Sequence, residues 1–318
     1  MALFDGQIAL LTLKNVFMLL LFVATGWVLR HYKRLPENAS SMVSVLATLV
    51  FVPAYTLNYV TKTFTLEMLG SNLRLLGVSC LWCGTVIVIG RILGKLLGRN
   101  DFEKKSLYYM LSFTNNGFFG YPVIQGVFGD EMLARFIIFS IPIGFVGNFY
   151  GYGLFSDKGS FNVKKSMFSL VNLSSVLGCV FGLLGVTFPD FLGNALQTAG
   201  SCMSPAAMIL AGLVLGAFGL KELVSSLRPY FIGLLRLLII PALLVPLFWL
   251  IGLRGENFFF CAVTTCLPVG LNCVVYPEAC GFDSSDNAKV AFVSFVMSLI
   301  TLPVTFSLIL SMIKIFGI

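Results

Sequence analysis

Apolar residues run along this chain in long stretches, approximately 8–29, 38–60, 71–97, 105–128, 131–154, 168–186, 190–217, 229–251, 257–280 and 287–314. Most approach or exceed the roughly 20 residues a helix needs to cross the hydrocarbon of a bilayer. The stretches are continuous and lack the every-second-residue alternation of barrel strands, so the pattern predicts ten spanning helices. The first, Ile8 to Leu29, is too long for a signal-peptide core and ends in basic residues without a small-residue cleavage site, so it is the first span.

The polar positions between the stretches set the topology. Fourteen of the 21 Lys and Arg fall around the connections after spans 1, 3, 5, 7 and 9. Only Lys62, Arg74, Arg135 and Arg254 fall on the other side. Basic residues collect on the cytoplasmic face, so both termini are expected outside a cell membrane crossed many times. The most polar connection, Ser156 to Ser166, divides the spans into two sets of five, and an odd number per half inverts the second set relative to the first. The expected units are repeat 1 over 1–155, a cytoplasmic linker over 156–167 and repeat 2 over 168–318. Pro53-Ala54 echoes Pro205-Ala206, and Pro122 echoes Pro268, at near-constant separation.

Composition agrees with the pattern. The 318 residues are 58% hydrophobic and 11% charged, against roughly 25% charged in soluble domains, and the mean hydropathy is +0.93. A water-soluble fold is excluded, and short connections leave no room for a sizeable soluble domain. The net charge of +7 records orientation rather than nucleic-acid binding. The eight Cys lie mostly in apolar stretches and behave as small hydrophobes. Cys80 and Cys83 form a single CxxC with no second ligand pair, a poor zinc site. The one His, His31, lies in a basic loop. With no H-E-x-x-H or G-x-S-x-G and no general base in the bilayer, no enzyme, metal or cofactor is expected.

Polar residues inside the spans carry the chemistry. In span 4, Thr114-Asn115-Asn116-Gly117-Phe118-Phe119-Gly120-Tyr121-Pro122 loosens the helix with two Gly and a Pro. Adjacent Asn residues there require partners or a wet cavity. Span 9 repeats the theme with Cys266-Leu267-Pro268-Val269-Gly270-Leu271-Asn272. Two interrupted helices at matching places in inverted halves are the strongest sequence pointer to a transporter site. The candidate substrate-binding residues are Asn115, Asn116, Gly117, Gly120, Pro122, Pro268 and Asn272. Freed N–H groups and Asn amides suit a carboxylate. Arg236 and Lys14 are the cations deepest in spans, and Glu278 lies at the cytoplasmic end of span 9, so these three are candidate charge partners. Arg236 also has the alternative of snorkelling to the basic edge. Rows such as Gly90, Gly94 and Gly98, or Gly178 and Gly182, read as close helix packing.

The stretch N-N-G-F-F-G-Y-P (Asn115 to Pro122) closely resembles the span-4 signature of the auxin efflux carrier family, which includes the plant PIN-FORMED carriers and bacterial malate permease-like proteins. Pro268 to Tyr276 with the following Glu278 to Asp283, and Ser294 to Pro303, are similar to the family's span-9 and span-10 segments. The resemblance implies an all-α integral membrane fold of ten transmembrane helices in two inverted five-helix repeats. Broken helices 4 and 9 would cross near the midplane, as in sodium/proton antiporters of the NhaA type. It places the family's two Asn on Asn115 and Asn272; Asn116 departs from the small or hydroxylated residue common there. The implied activity is secondary transport of a small organic anion, such as malate or an auxin-like acid, by an elevator or rocking motion, with H+ or Na+ as candidate coupling ions. The expected partners are that anion and the lipid bilayer, not nucleic acid, with homodimer formation left open. A sensor or partner-binding subunit on the same fold is the alternative.

Overall fold

The computed structural model describes residues 6–155, 170–224 and 226–316, so the linker expected at 156–167 lies outside the described residues. The described chain is helical, with one isolated antiparallel β-bridge, Thr114 with Val269, and no strand. Helix α1 spans Gly6–His31, α2 Ala39–Thr63, α3 Leu66–Leu97, α4 Asp101–Met110, α5 Asn116–Phe155 and α6 Leu170–Leu183. Then follow α7 Asp190–Leu215, the short α8 Leu220–Val224, α9 Leu227–Leu250, α10 Gly255–Cys266, α11 Asn272–Ala279 and α12 Ser285–Phe316.

Seven helices among the described residues are long and apolar enough to cross a membrane, and α6 is a shorter apolar helix. The stretch expected as span 6 thus forms a helix of 14 residues. Helix α5 is one helix in name only: Gly129, at φ 84°, sits in a backbone conformation that L side chains rarely adopt and turns the chain between a short arm and a long one. Large apolar side chains such as Leu96, Leu184, Phe191 and Ile300 point outward. Lipid, not water, accepts them, because nothing in hydrocarbon penalises an exposed Leu.

Glycines let the helices approach. A Cβ on Gly26 or Gly212 would fall within 2.1 Å of backbone on the facing helix, which fixes α1 against the second half of α7. Gly178 and Gly182 press α6 onto Val60, Thr61 and Phe64 of the α2 end. Gly90, Gly94 and Gly98 do the same for α3 against 104–112. Close backbone approach substitutes for the hydrophobic driving force that is absent between helices in lipid.

Among the described residues three helices carry a π turn, each just before a proline: Ala47–Phe51 before Pro53, Asn116–Gly120 before Pro122, and Leu235–Ile239 before Pro241. The cause is local. Proline lacks an N–H and its ring crowds the carbonyl four residues back. The turn widens until the residue ahead of it bonds five back, as Tyr121 N–H does to Asn116 O. Pro205 and Pro268 sit differently, the first in the opening turn after the bend at Cys202 and the second in extended chain between α10 and α11. The local geometry therefore matches Pro122 with Pro277 rather than with Pro268. Each follows a Tyr and lies in the second turn of the helix that begins after a break.

Candidate functional site

Two interruptions meet in the interior. Helix α4 stops at Met110 and α5 begins at Asn116; α10 stops at Cys266 and α11 begins at Asn272. Between them the two extended stretches run antiparallel and share backbone hydrogen bonds, Asn115 N–H to Pro268 O at 2.9 Å and Gly270 N–H to Phe113 O at 3.3 Å. Each stretch supplies the polar groups that the other's broken helix leaves open, as buried backbone requires. The Asn115 carbonyl also accepts from Gly120 N–H at 2.9 Å, closing the first turn of α5.

Helix α12 straps the pair. Ser294 Oγ accepts from Val269 N–H at 3.3 Å. Asn287 Nδ2 donates to Cys273 O at 2.7 Å and to Ser106 Oγ at 3.0 Å, so one buried amide ties α12 to α11 and α4. From the far side, Trp82 Nε1 of α3 donates to Thr265 Oγ1 of α10 at 2.8 Å. The breaks are held from both sides.

Beside them lies a cavity of about 1070 Å³ bounded by α2, the flanks of both breaks, the long arm of α5 and the start of α6. Asn115, Asn116, Gly117 and Asn272 line it. Its described wall carries Tyr, Phe, Ser, Thr and Asn but no charged side chain. Asn115 and Asn116 are 3% and 7% exposed, and the amide nitrogen of each has no partner among the described residues. Asn116 Oδ1 is already taken by Thr114 Oγ1 at 2.8 Å. Asn116 is left with N–H to offer, whereas Asn115 Oδ1 also has no donor among the described residues.

Along the cavity wall a chain of side chains links three helices. Asn272 Nδ2 donates to Tyr276 Oη at 2.9 Å, Tyr276 Oη donates to Asn148 Oδ1 at 2.5 Å, and Asn148 Nδ2 donates to Asn172 Oδ1 at 3.0 Å. Sequence reasoning missed Tyr276, Asn148 and Asn172 as site residues. The available signal was the same one that marked Asn115: an amide inside an apolar run needs a partner or a cavity.

The remaining candidates sit elsewhere. Gly120 and Pro122 do not line the cavity, nor does Pro268. Gly120 instead allows contact between the breaks, since a Cβ there would lie 2.7 Å from Leu267 Cδ1. Arg236 does not snorkel. It is fully buried in the π turn of α9, next to Cys266 at the end of α10, and all three guanidinium nitrogens lack a partner among the described residues. Lys14 is exposed on α1 and absent from the cavity wall. The side chain of Glu278 lies outside the described residues. Past the end of α11, Asp283 accepts from the hydroxyl and the N–H of Ser285, which holds its carboxyl below the usual carboxylate range.

Apolar helices of spanning length, interrupted in pairs around an uncharged polar cavity, define the class: a multi-pass membrane protein with an interior site. The model of the Membrane transport protein family matches residues 11–171 and 159–306. The chain belongs to this family, that of the auxin efflux carriers, and is a membrane transporter. It is 26% identical over 297 residues to a protein of Methanothermobacter thermautotrophicus described as an uncharacterized transporter, covering 91% of this chain and 96% of that one. An uncharacterized transporter of Methanocaldococcus jannaschii is 24% identical over 298 residues, covering 90% and 95%.

Proposed function

We propose that the protein is a secondary transporter of a small organic anion, a carboxylate held where the two helix breaks meet. The observation that carries this reading is the pair of occluded, unpartnered amide nitrogens of Asn115 and Asn116 at the start of α5, beside the start of α11. A helix N-terminus carries about half a positive charge. Buried N–H groups left without acceptors cost about 1–3 kcal/mol each. A carboxylate removes that cost and is in turn stabilised without a full positive charge in the wall.

Ten spans as two inverted five-helix repeats, with both termini external, fit this reading. The short α4 with the first arm of α5 supplies span 4, and α10 with α11 supplies span 9. Alternating access by an elevator or rocking motion then exposes the site to either side of the cell membrane. The coupling ion, H+ or Na+, is read by imposing each gradient in turn.

The test is uptake of radiolabelled mono- and dicarboxylates into proteoliposomes. Saturable uptake is expected, with at least a tenfold loss in the Asn115→Ala, Asn272→Ala double variant. Unchanged uptake in that variant removes the proposed site.

A further inference from the structure

We infer that the site requires its organic anion to carry a hydroxyl as well as a carboxylate, and that Tyr276 is the positioning residue that imposes this requirement. The inference rests on the transport reading above and concerns which acids are accepted.

It begins with one proton. A tyrosine hydroxyl donates once, and Tyr276 spends that donation on Asn148 Oδ1. Toward Asn272 it can only accept, so the amide of Asn272 must present Nδ2 to it, as it does at 2.9 Å. The direction is maintained further along, because Asn148 uses its own Nδ2 on Asn172 Oδ1 and has only Oδ1 to offer Tyr276. Four side chains on α11, α5 and α6 therefore agree on a single polarity. Its end point is the carbonyl oxygen of Asn272, which lines the cavity and has no hydrogen-bond donor among the described residues.

The cavity wall thus offers both donors and an acceptor at the two helix starts. The α5 start offers the Nδ2 groups of Asn115 and Asn116 as donors; the acceptor of Asn116 is taken by Thr114, and that of Asn115 has no donor among the described residues. The α11 start offers an acceptor. A simple carboxylate is an acceptor only. It satisfies the first wall and covers the oxygen of Asn272 without bonding it, which is the arrangement that discriminates most strongly against an analogue lacking one group. An acid with a hydroxyl beside its carboxylate satisfies both walls at once. The aromatic lining, including Tyr55, Tyr109 and Phe113, adds contact area.

Matched pairs of acids test this in proteoliposomes: lactate against propionate, malate against succinate, and mandelate against phenylacetate. The hydroxylated member is expected to be taken up with roughly tenfold higher kcat/KM. In Tyr276→Phe the amide of Asn272 is free to turn over and offer N–H, so the ratio is expected to fall to within about twofold. Asn148→Ala, which leaves α11 intact and releases the tyrosine proton toward Asn272, is expected to lower the ratio in the same way. Equal uptake of both members of every pair by the unaltered protein overturns the hydroxyl requirement while leaving the transport reading standing. A preference that persists in both variants overturns the role of Tyr276. Absence of uptake and of thermal stabilisation with every acid overturns the transport reading itself.

Discussion

Asn115 gives its backbone N–H to the carbonyl of Pro268 across 2.9 Å, and with that bond two helix breaks 153 positions apart in the chain become one structure. The choice of partner is chemical. Proline offers a carbonyl and no N–H, so at this point the second break can only accept, and the first can only give. The next bond, Gly270 N–H to Phe113 O, runs the other way. Two unwound segments would each be costly in hydrocarbon; facing one another they satisfy part of that need.

The approach leaves no space for a side chain at Gly270, where an added Cβ would meet Thr114 O at 3.1 Å. Gly270→Val is therefore expected to separate the breaks, cost about 1–3 kcal/mol and reduce transport at least tenfold. Gly77→Val is the control, since nothing lies within 4 Å of a Cβ there. Thermal unfolding in detergent alongside uptake separates the two; equal behaviour of both variants would refute the packing argument.

Pro122 removes the donor that would have served the carbonyl of Phe118, and Ser204 Oγ of α7 supplies it instead at 2.7 Å. Ser204→Ala is expected to destabilise by about 1 kcal/mol. In a Pro122→Ala background, an N–H is again available to Phe118, and the same serine substitution should cost much less. A double-mutant cycle measures the coupling directly. Additive costs would mean that the serine and the proline are unrelated.

Much of the fold was legible because lipid leaves few choices: about 20 apolar residues make a span, and Asn, Gly and Pro inside one mark a break. Asn115, Asn116 and Asn272 were found that way and do line one cavity. Asn148 and Asn172 were not, because each is a lone amide in an apolar run and only packing decides which face it shares with Tyr276. The Pro122 and Pro268 echo misled for a related reason. Spacing along the chain does not distinguish a proline inside a helix from one between helices, whereas the Tyr-Pro dipeptides at 121–122 and 276–277 do correspond in place. The distance of Arg236 from the basic edge left snorkelling open, and the packing of α9 closed it.

Asp283 provides a pH-dependent test outside the membrane. Its carboxyl titrates lower in the folded protein because Ser285 donates to the charged form. A depressed carboxylate contributes stability that is present above its unfolded value of about 3.9 and is lost as pH falls through its folded value. Asp283→Asn is expected to be slightly less stable than the parent at pH 7, with the difference shrinking once pH falls below about 4 and gone below the folded value. A difference that persists undiminished in acid would locate the effect in packing rather than charge.

Arg236 sets two physical effects against each other, and their sizes decide the outcome. Beside Cys266 it stands at the C-terminal end of α10, where a cation is favourable by at most about 2 kcal/mol. Full burial without a hydrogen-bond partner among the described residues costs several kcal/mol. The cost exceeds the gain, so Arg236→Met is expected to leave the unfolding midpoint unchanged or raise it. An ionisable residue buried inside a span is a functional candidate, and the variant is expected to lose at least tenfold in uptake rate, with Arg236→Lys recovering part of it. Stability and uptake measured on the same preparations decide the point: a variant that unfolds early makes Arg236 a structural cation, and one that is both stable and active leaves it without a role in transport.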